Sequence, residues 1–164
     1  MDYLAQLIQR GDEKAFELLY EKTRRIVYSV CLSVLKNPTH AEEISQETYV
    51  TVWTHISEFK GRGLKTWVLT IAKNKALNAL RKNRWERLTD FTEEESLAKS
   101  YTFDSEVETG ILIRTALENL ELVDRQIVLL KNSGMKTKDI AAFLELPRGT
   151  VSWKYSQALK KLKD

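Results

Sequence analysis

The 164-residue sequence has one cysteine, Cys31, two prolines and two histidines. A single cysteine excludes an internal disulfide and a cysteine-based metal site, and His40 and His55 form no metal-ligand spacing with each other. No apolar run approaches the roughly 20 residues of a membrane span. The N-terminal stretch MDYLAQLIQRGDEKAF lacks the basic and apolar parts of a signal peptide. We therefore expect a cytoplasmic protein with no membrane insertion, no metal and no other cofactor.

Proline is scarce, and the apolar residues repeat at helical spacings with almost no strict alternation. This pattern predicts an all-α protein. Its expected organisation is two small helical domains, residues 1–87 and 109–164, joined by an acidic flexible linker at 88–108. Within the first domain, Gly11-Asp12 is expected to separate a short helix from a longer one.

The charge is distributed unevenly although its net value is only +3. Residues 1–59 carry −3 and residues 60–87 carry +8, whereas 88–108 carry −6 and 109–164 carry +4. Two basic segments separated by an acidic connector indicate two places that meet a polyanion. The alternative is that each basic face is only a solvated surface.

A helix from about Thr39 to Phe59 is predicted, with Thr39 as its N-cap and Glu42 and Glu43 in its first turn. At about 100° per residue, one side of this helix mixes apolar and acidic groups. That side comprises Glu42, Glu43, Gln46, Val50 and Trp53. Such a surface suits a protein partner better than plain solvent. The alternative is that Trp53 packs on a neighbouring helix.

The stretch TKDIAAFLELPRGTVSWKYSQALKKL predicts a helix-turn-helix. A helix over Thr137–Leu144 is followed by the tight connection Glu145-Leu146, and Pro147 suits the first turn of a second helix. The outward arc of the second helix contains Thr150, Trp153, Gln157, Lys160 and Lys161, with Lys154 beside it. Polar residues that read bases and lysines that hold phosphates are typical of a recognition helix; a bare helical hairpin is the alternative.

Three stretches, in order, resemble the extracytoplasmic-function (ECF) sigma factors, the smallest members of the bacterial sigma superfamily. Ala41–Tyr49 is similar to the AE(D/E)-x-x-Q-E-x-(F/Y) core of the second conserved region. FKGRGLKTWVLTIAKNKALNALRK is similar to the F-x-x-W-L-x-x-I-A-x-N segment, and GMKTKDIAAFLELPRGTV to the fourth region, which ends in G-T-V. The resemblance covers nearly the whole chain, and the acidic linker stands in place of the third region of larger sigma factors.

The resemblance implies a transcription initiation factor and not an enzyme. It would bind core RNA polymerase and direct promoter recognition and melting, and an anti-sigma factor is a further implied partner. The implied polymerase-binding residues are Glu43, Gln46, Glu47, Val50 and Trp53.

The resemblance also implies contact with minus-ten promoter DNA, as duplex and as melted non-template strand. The implied residues are Lys60, Arg62, Lys65, Trp67, Thr70, Asn74, Asn78 and Arg81. On a helical wheel the last five lie opposite the apolar side. Amides can read exposed base edges, and an aromatic ring offers a stacking surface worth about 1–3 kcal/mol per base. Packing of Trp67 between helices, and simple solvation of the asparagines, are the alternatives.

The minus-thirty-five element would be contacted by the second helix of the helix-turn-helix. The implied residues are Arg148, Thr150, Ser152, Trp153, Lys154, Gln157, Lys160 and Lys161. Relatives usually follow G-T-V with a basic residue, serine and arginine, and often carry a further arginine where Gln157 stands. Fewer guanidinium groups predict a weaker hold on phosphate.

Two other functions would use parts of this sequence. A stand-alone helix-turn-helix regulator of duplex DNA would need only the last segment, and it would leave the surfaces around Trp53 and Trp67 without a role. A nucleic-acid-processing enzyme would need carboxylates in fixed geometry. Glu93, Glu94 and Glu95 lie instead in the expected flexible linker.

Overall fold

The computed structural model describes residues 1–89, 114–116 and 118–163. Within these ranges there is no strand, and the predicted all-α class is confirmed. No helix in this part of the chain is long and apolar enough to cross a membrane. The helices are α1 (Tyr3–Gln9), α2 (Glu13–Leu35), α3 (Pro38–His55), α4 (Leu64–Thr89), α5 (Leu122–Asn132), α6 (Thr137–Leu144) and α7 (Arg148–Lys163).

The predicted break between the first two helices is confirmed. Gly11 has a φ of +86°, a left-handed conformation that costs glycine little. Asp12 follows as the N-cap of α2, and its side chain accepts a hydrogen bond of 3.0 Å from the amide of Ala15. Two residues thus end one helix and start the next.

The predicted N-cap of α3 was wrong. Asn37 caps this helix by accepting from the amide of His40 at 3.0 Å, and Pro38 occupies the first helical position. Proline fits there because the first amides of a helix have no partner within the helix. The earlier start places Glu42 and Glu43 beyond the first turn, which contains no acidic residue.

Helices α2, α3 and α4 pack on one another, and α1 lies against α2. Their shared core includes fully buried Leu19 and Val27 of α2, Val52 of α3 and Val68 of α4. Inside this core, the Thr23 hydroxyl donates to the carbonyl of Leu19 at 2.7 Å. The first half of the chain is therefore a four-helix unit.

The second half packs directly on the first, because α5 lies against α2 and one buried cluster runs through both. The side chain of Lys73 on α4 also sits 5.5 Å from the ring centre of Phe143 on α6. Helix α4 continues to Thr89, so residues 88 and 89 of the predicted linker are helical. The remainder of that linker lies outside the described residues.

Candidate protein and nucleic-acid interfaces

The outer face of α3 consists of the five residues predicted to bind polymerase, and all five are exposed. They are Glu43, Gln46, Glu47, Val50 and Trp53. Exposure reaches 67% for Val50 and 40% for Trp53. The carboxylate of Glu47 lies 3.8 Å from the ammonium group of half-buried Lys75, and so long a pair near the surface contributes little. Large apolar side chains beside carboxylates on one exposed helix face favour a protein partner.

Aromatic contacts from α2 orient the outer face of α3. The ring of Phe16 meets Trp53 edge-on at 5.0 Å, and Tyr20 meets Tyr49 at 4.8 Å. The Tyr49 hydroxyl is 2.8 Å from that of Thr23, and burial raises the pKa of Tyr49 above its usual value. The alternative, that Trp53 packs on a neighbouring helix, is thus correct in part. One edge of its ring packs on α2, while the rest of the residue stays exposed.

These supporting aromatics were not singled out from the sequence. The available signal was their spacing: Phe16 and Tyr20 are four residues apart on one helix, and Tyr49 and Trp53 are four apart on the next. Side chains at this spacing share a helix face. Two such pairs on neighbouring helices can therefore interlock.

A short 3-10 helix, Ile56–Glu58, follows α3, and the α3–α4 loop after it, residues 59–63, exposes Lys60 and Arg62. Gly61 and Gly63 have φ values of +122° and +87°, conformations that other residues rarely adopt. A side chain at Gly61 would meet no atom within 4 Å, so backbone conformation and not crowding requires glycine there. Two basic side chains are therefore displayed on a sharply turned backbone.

The α4 arc comprises Trp67, Thr70, Asn74, Asn78 and Arg81. The last four are exposed and Trp67 is half-buried, with its ring 5.3 Å from that of Phe59. The Thr70 hydroxyl donates to the carbonyl of Thr66 at 2.8 Å. Within the described residues, the side-chain amides of Asn74 and Asn78 make no hydrogen bond. They are therefore available to a ligand.

The other predicted minus-ten residue on α4, Lys65, is half-buried. Trp67 presents only part of its ring to solvent because it also packs on Phe59 at the start of the loop. The arc is therefore continuous with the α3–α4 loop. Together they form one exposed strip of cationic, amide and aromatic groups.

The turn of the helix-turn-helix is formed by Glu145, which adopts a left-handed conformation with φ +56°. The amide of Leu146 then donates to the carbonyl of Ala141 at 2.9 Å. Helix α6 spans the predicted Thr137–Leu144. Pro147 stands one position earlier than expected: it precedes α7, and its carbonyl accepts from Val151 at 3.1 Å.

Helix α7 displays most of the residues predicted to contact the minus-thirty-five element. Arg148, Ser152, Trp153, Lys160 and Lys161 are exposed, with Trp153 at 62%, and Thr150, Lys154 and Gln157 are half-buried. Buried Val151 and Ala158 fix the opposite side of the helix in the core. The outward arc is therefore centred on Trp153 and Lys160.

Two of the predicted phosphate-binding lysines are already paired. The carboxylate of Asp124, in the first turn of α5, lies 3.1 Å from the Lys154 ammonium group and 3.8 Å from that of Lys161. Asp124 is only 14% exposed, so its charge is less screened than that of a surface residue. The sequence did not indicate this contact, because Asp124 is 30 residues from Lys154.

Family models match both halves of the chain. The family model for sigma-70 region 2 matches residues 19–86, and the model for sigma-70 region 4 matches residues 111–162. Together they span well over half of the chain. This chain belongs to the sigma-70 family. The α3 outer face, the α3–α4 loop and the α4 arc lie in region 2, and the helix-turn-helix lies in region 4.

Relatives of this sigma factor include the ECF RNA polymerase sigma factor SigK of Mycobacterium bovis and of Mycobacterium tuberculosis. Each is 36% identical over 84 residues, which cover 49% of this chain and 44% of the relative. SigK of Mycobacterium sp. strain KMS is 32% identical over 83 residues. The matched part is thus less than half the length of these relatives.

Solved structures resemble the fold over nearly the whole chain. The sigma factor RpoE of Bartonella quintana, in complex with the anti-sigma factor NepR, aligns with a TM-score of 0.68. This match is 23% identical and covers 92% of this chain and 95% of RpoE. CnrH, in complex with the cytosolic domain of CnrY, aligns with the same TM-score and identity, covering 98% and 93%. At this identity the likeness concerns the fold alone.

Proposed function

We propose that this sigma factor binds bacterial core RNA polymerase and directs it to promoters, where it opens the duplex and allows initiation. The observation that carries the proposal is a pair of chemically different surfaces within region 2. The α3 outer face is apolar and acidic, whereas the loop and the α4 arc are basic and amide-rich. One suits a protein and the other suits a nucleic acid.

For the polymerase, Trp53 and Val50 supply exposed apolar area, and the carboxylates of Glu43 and Glu47 surround it. An anchor of this kind, desolvated at the centre of an interface, accounts for much of the binding energy in many complexes. Gln46 can satisfy polar groups at the rim. The edge-on contact with the ring of Phe16 means that Trp53 loses little side-chain freedom on binding.

For the promoter, the strip from Lys60 to Arg81 suits a single strand better than a paired duplex. A base must leave the helical stack before its Watson–Crick edge can meet an amide such as Asn74. Lys60, Arg62 and Lys65 would attract phosphates in a salt-dependent manner. If this strip binds the unpaired strand more tightly than the paired duplex, the difference in binding free energy favours melting of the minus-ten element.

Region 4 would contact the minus-thirty-five element as duplex through α7. Lys160 and Arg148 are placed to hold phosphates, and Trp153 offers an apolar surface to a thymine methyl group. Lys154 and Lys161 would have to exchange Asp124 for phosphate. A modest affinity of region 4 for DNA follows from this competition.

A protein inhibitor is a natural counterpart, because the free α3 outer face would otherwise be available for adventitious contacts. The relatives RpoE and CnrH are solved in complex with an anti-sigma factor and with a cytosolic domain, respectively. We propose a comparable anti-sigma partner for this chain. The proposed binding to RNA polymerase would place this sigma factor in the cytoplasm. Its proposed role is that of an initiation factor and not of an enzyme.

The test is reconstitution of the purified chain with bacterial core RNA polymerase on fragments of host genomic DNA. Discrete new transcription start sites, absent with core enzyme alone, are the expected result. Their upstream sequences would define the two promoter elements. If the chain fails to associate with core enzyme but binds duplex DNA tightly by itself, it is a stand-alone helix-turn-helix regulator.

A further inference from the structure

Helix α1 holds both ends of the α3–α4 loop. The side-chain amide of Gln9 donates to the carbonyls of Ile56 and Phe59, at 2.9 and 3.1 Å. The carboxylate of Asp2 accepts from the amides of Gly63 and Leu64, at 3.0 and 2.8 Å. The partners of these four hydrogen bonds lie 47 to 62 residues away in the chain, so they join distant segments.

The contacts of Asp2 complete the start of α4. The first amides of any helix have no acceptor within the helix. Here the acceptor comes from the N-terminal segment, and hydrogen bonds from Gly63 and Leu64 lower the pKa of Asp2 below its usual value. Asp2 is therefore a carboxylate at neutral pH, and a negative charge at a helix N-terminus is favourable.

The anchor itself is firm, because Leu4, Ala5 and Ile8 of α1 are almost fully buried in the core of region 2. Asp2 and Gln9 lie at opposite ends of this short helix. The distance between the hydrogen bonds of Asp2 and those of Gln9 is thus set by one helix, which cannot shift without disturbing the core.

The middle of the loop has no comparable support within the described residues. Lys60, Gly61 and Arg62 are exposed, and the two glycines at 61 and 63 adopt conformations that relax easily once their neighbours are free. The conformation of the loop therefore depends on the hydrogen bonds that hold its two ends. Freeing either end would enlarge the set of conformations that must be ordered on binding.

We propose that Asp2 and Gln9 are positioning residues for promoter opening, acting through the α3–α4 loop on the unpaired minus-ten strand. This inference rests on the proposed function. Neither side chain touches DNA in this scheme. Each fixes the direction in which Lys60 and Arg62 are presented and the place where α4 begins.

The test compares Asp2→Ala and Gln9→Met with the unsubstituted chain, each purified with a C-terminal tag so that the N-terminus is unaltered. Promoter opening is followed by permanganate reactivity of minus-ten thymines, on a fragment where the unsubstituted chain initiates. Affinity for core polymerase is measured in parallel. We expect opening to fall about five- to tenfold for each variant, with affinity for core unchanged within about twofold.

Three further tests separate positioning from general destabilisation. Gln6→Met makes the same substitution on the exposed side of α1, and it should leave opening unchanged. On templates randomised at minus-ten, the Asp2 and Gln9 variants should initiate with a relaxed base preference, which simple unfolding would not produce. Asp2→Asn, which keeps an acceptor oxygen, should recover part of the activity.

Equal opening and equal base preference in all variants would overturn the inference while leaving the proposed function intact. A parallel loss of affinity for core polymerase and of promoter opening would overturn the inference as well. The hydrogen bonds of Asp2 and Gln9 would then only maintain the fold. If the unsubstituted chain initiates nowhere with core polymerase, the proposed function fails and takes this inference with it.

Discussion

Trp53 combines exposure with a fixed orientation, and both are needed in a side chain at the centre of a protein interface. The residue is 40% exposed, while the ring of Phe16 meets it edge-on with 5.0 Å between the ring centres. We expect Trp53→Ala to weaken binding to core polymerase about 30-fold, equivalent to about 2 kcal/mol. Competition between labelled and unlabelled chain for core enzyme would measure the change.

Leu18→Ala is the matched control, because Leu18 is exposed to the same 40% and lies on α2 away from Phe16. It should leave polymerase affinity within about twofold. The thermal stability of Trp53→Ala should fall only slightly, since one aromatic contact is worth about 0.5–1.5 kcal/mol. Unchanged polymerase affinity in Trp53→Ala would remove Trp53 from the interface.

Asp124 is a single carboxylate that two lysines of α7 share. We expect Asp124→Asn to release Lys154 and Lys161 and to strengthen binding of the chain to duplex DNA about three- to tenfold at low salt. The slope of log affinity against log salt should steepen by about one to two, as more counterions are displaced. Fluorescence anisotropy of a labelled duplex, titrated at several salt concentrations, would measure both.

Asp139→Asn provides the same change of charge in the first turn of α6. It removes one negative charge but frees neither lysine, so only a small gain in affinity is expected. An equal gain from both variants would mean that net charge, and not release of the two lysines, controls binding to the duplex.

Among the helices, those whose ends carry strong local signals were predicted well. Helix α6 has the predicted bounds, because Glu145, Leu146 and Pro147 interrupt the helical pattern sharply. The cap of α3 was missed although its signal was present. A proline just after Asn37 indicates that Asn37 is the cap, whereas the prediction of Thr39 rests on its residue type and on Glu42 and Glu43 following it.

Contacts between elements distant in sequence could not be predicted in the same way. Periodicity shows which face of α1 is buried, but it does not show that Gln9 will meet the carbonyls of Ile56 and Phe59. The predicted residues of α4 fared better. A helical wheel was enough to place Thr70, Asn74 and Asn78 on one exposed arc.

Helix α4 has a buried side and an exposed side, the α4 arc, which we propose binds the unpaired strand. We expect Asn74→Ala and Asn78→Ala each to lower promoter opening about tenfold, since amide contacts to base edges contribute about 1–3 kcal/mol. Asn83→Ala, on the same helix outside the arc, is the control and should leave opening unchanged. Loss of core polymerase binding in either arc variant would show instead that the α4 arc belongs to a protein interface.

At the scale of the whole molecule, the two regions pack together too closely to occupy both promoter elements at once. The elements are centred about 25 base pairs apart, or about 85 Å along B-form DNA. A compact chain of 164 residues has a radius of gyration of about 15 Å and a width of about 40 Å. If both regions bind one promoter as proposed, the contact between α2 and α5 must first be lost.

Arg125 is the polar link in this contact. Its buried guanidinium donates to the carbonyl of Ser33, at the end of α2, at 2.6 Å, and to that of Leu120 at 3.1 Å. No carboxylate pairs with it among the described residues, and burial lowers the pKa of Arg125. The negative end of the α2 dipole provides its electrostatic compensation.

We expect Arg125→Ala to shift the chain towards separated regions. Losing hydrogen bonds from a charged donor costs about 1.5–3 kcal/mol, which moves the equilibrium between packed and separated forms about 10- to 150-fold. Small-angle scattering should then give a radius of gyration clearly above about 15 Å. Arg24→Ala, which removes an exposed arginine from α2, should leave it unchanged. If Arg125→Ala stays compact, the apolar core between α2 and α5 is sufficient to hold the regions together, and polymerase must supply the free energy that separates them.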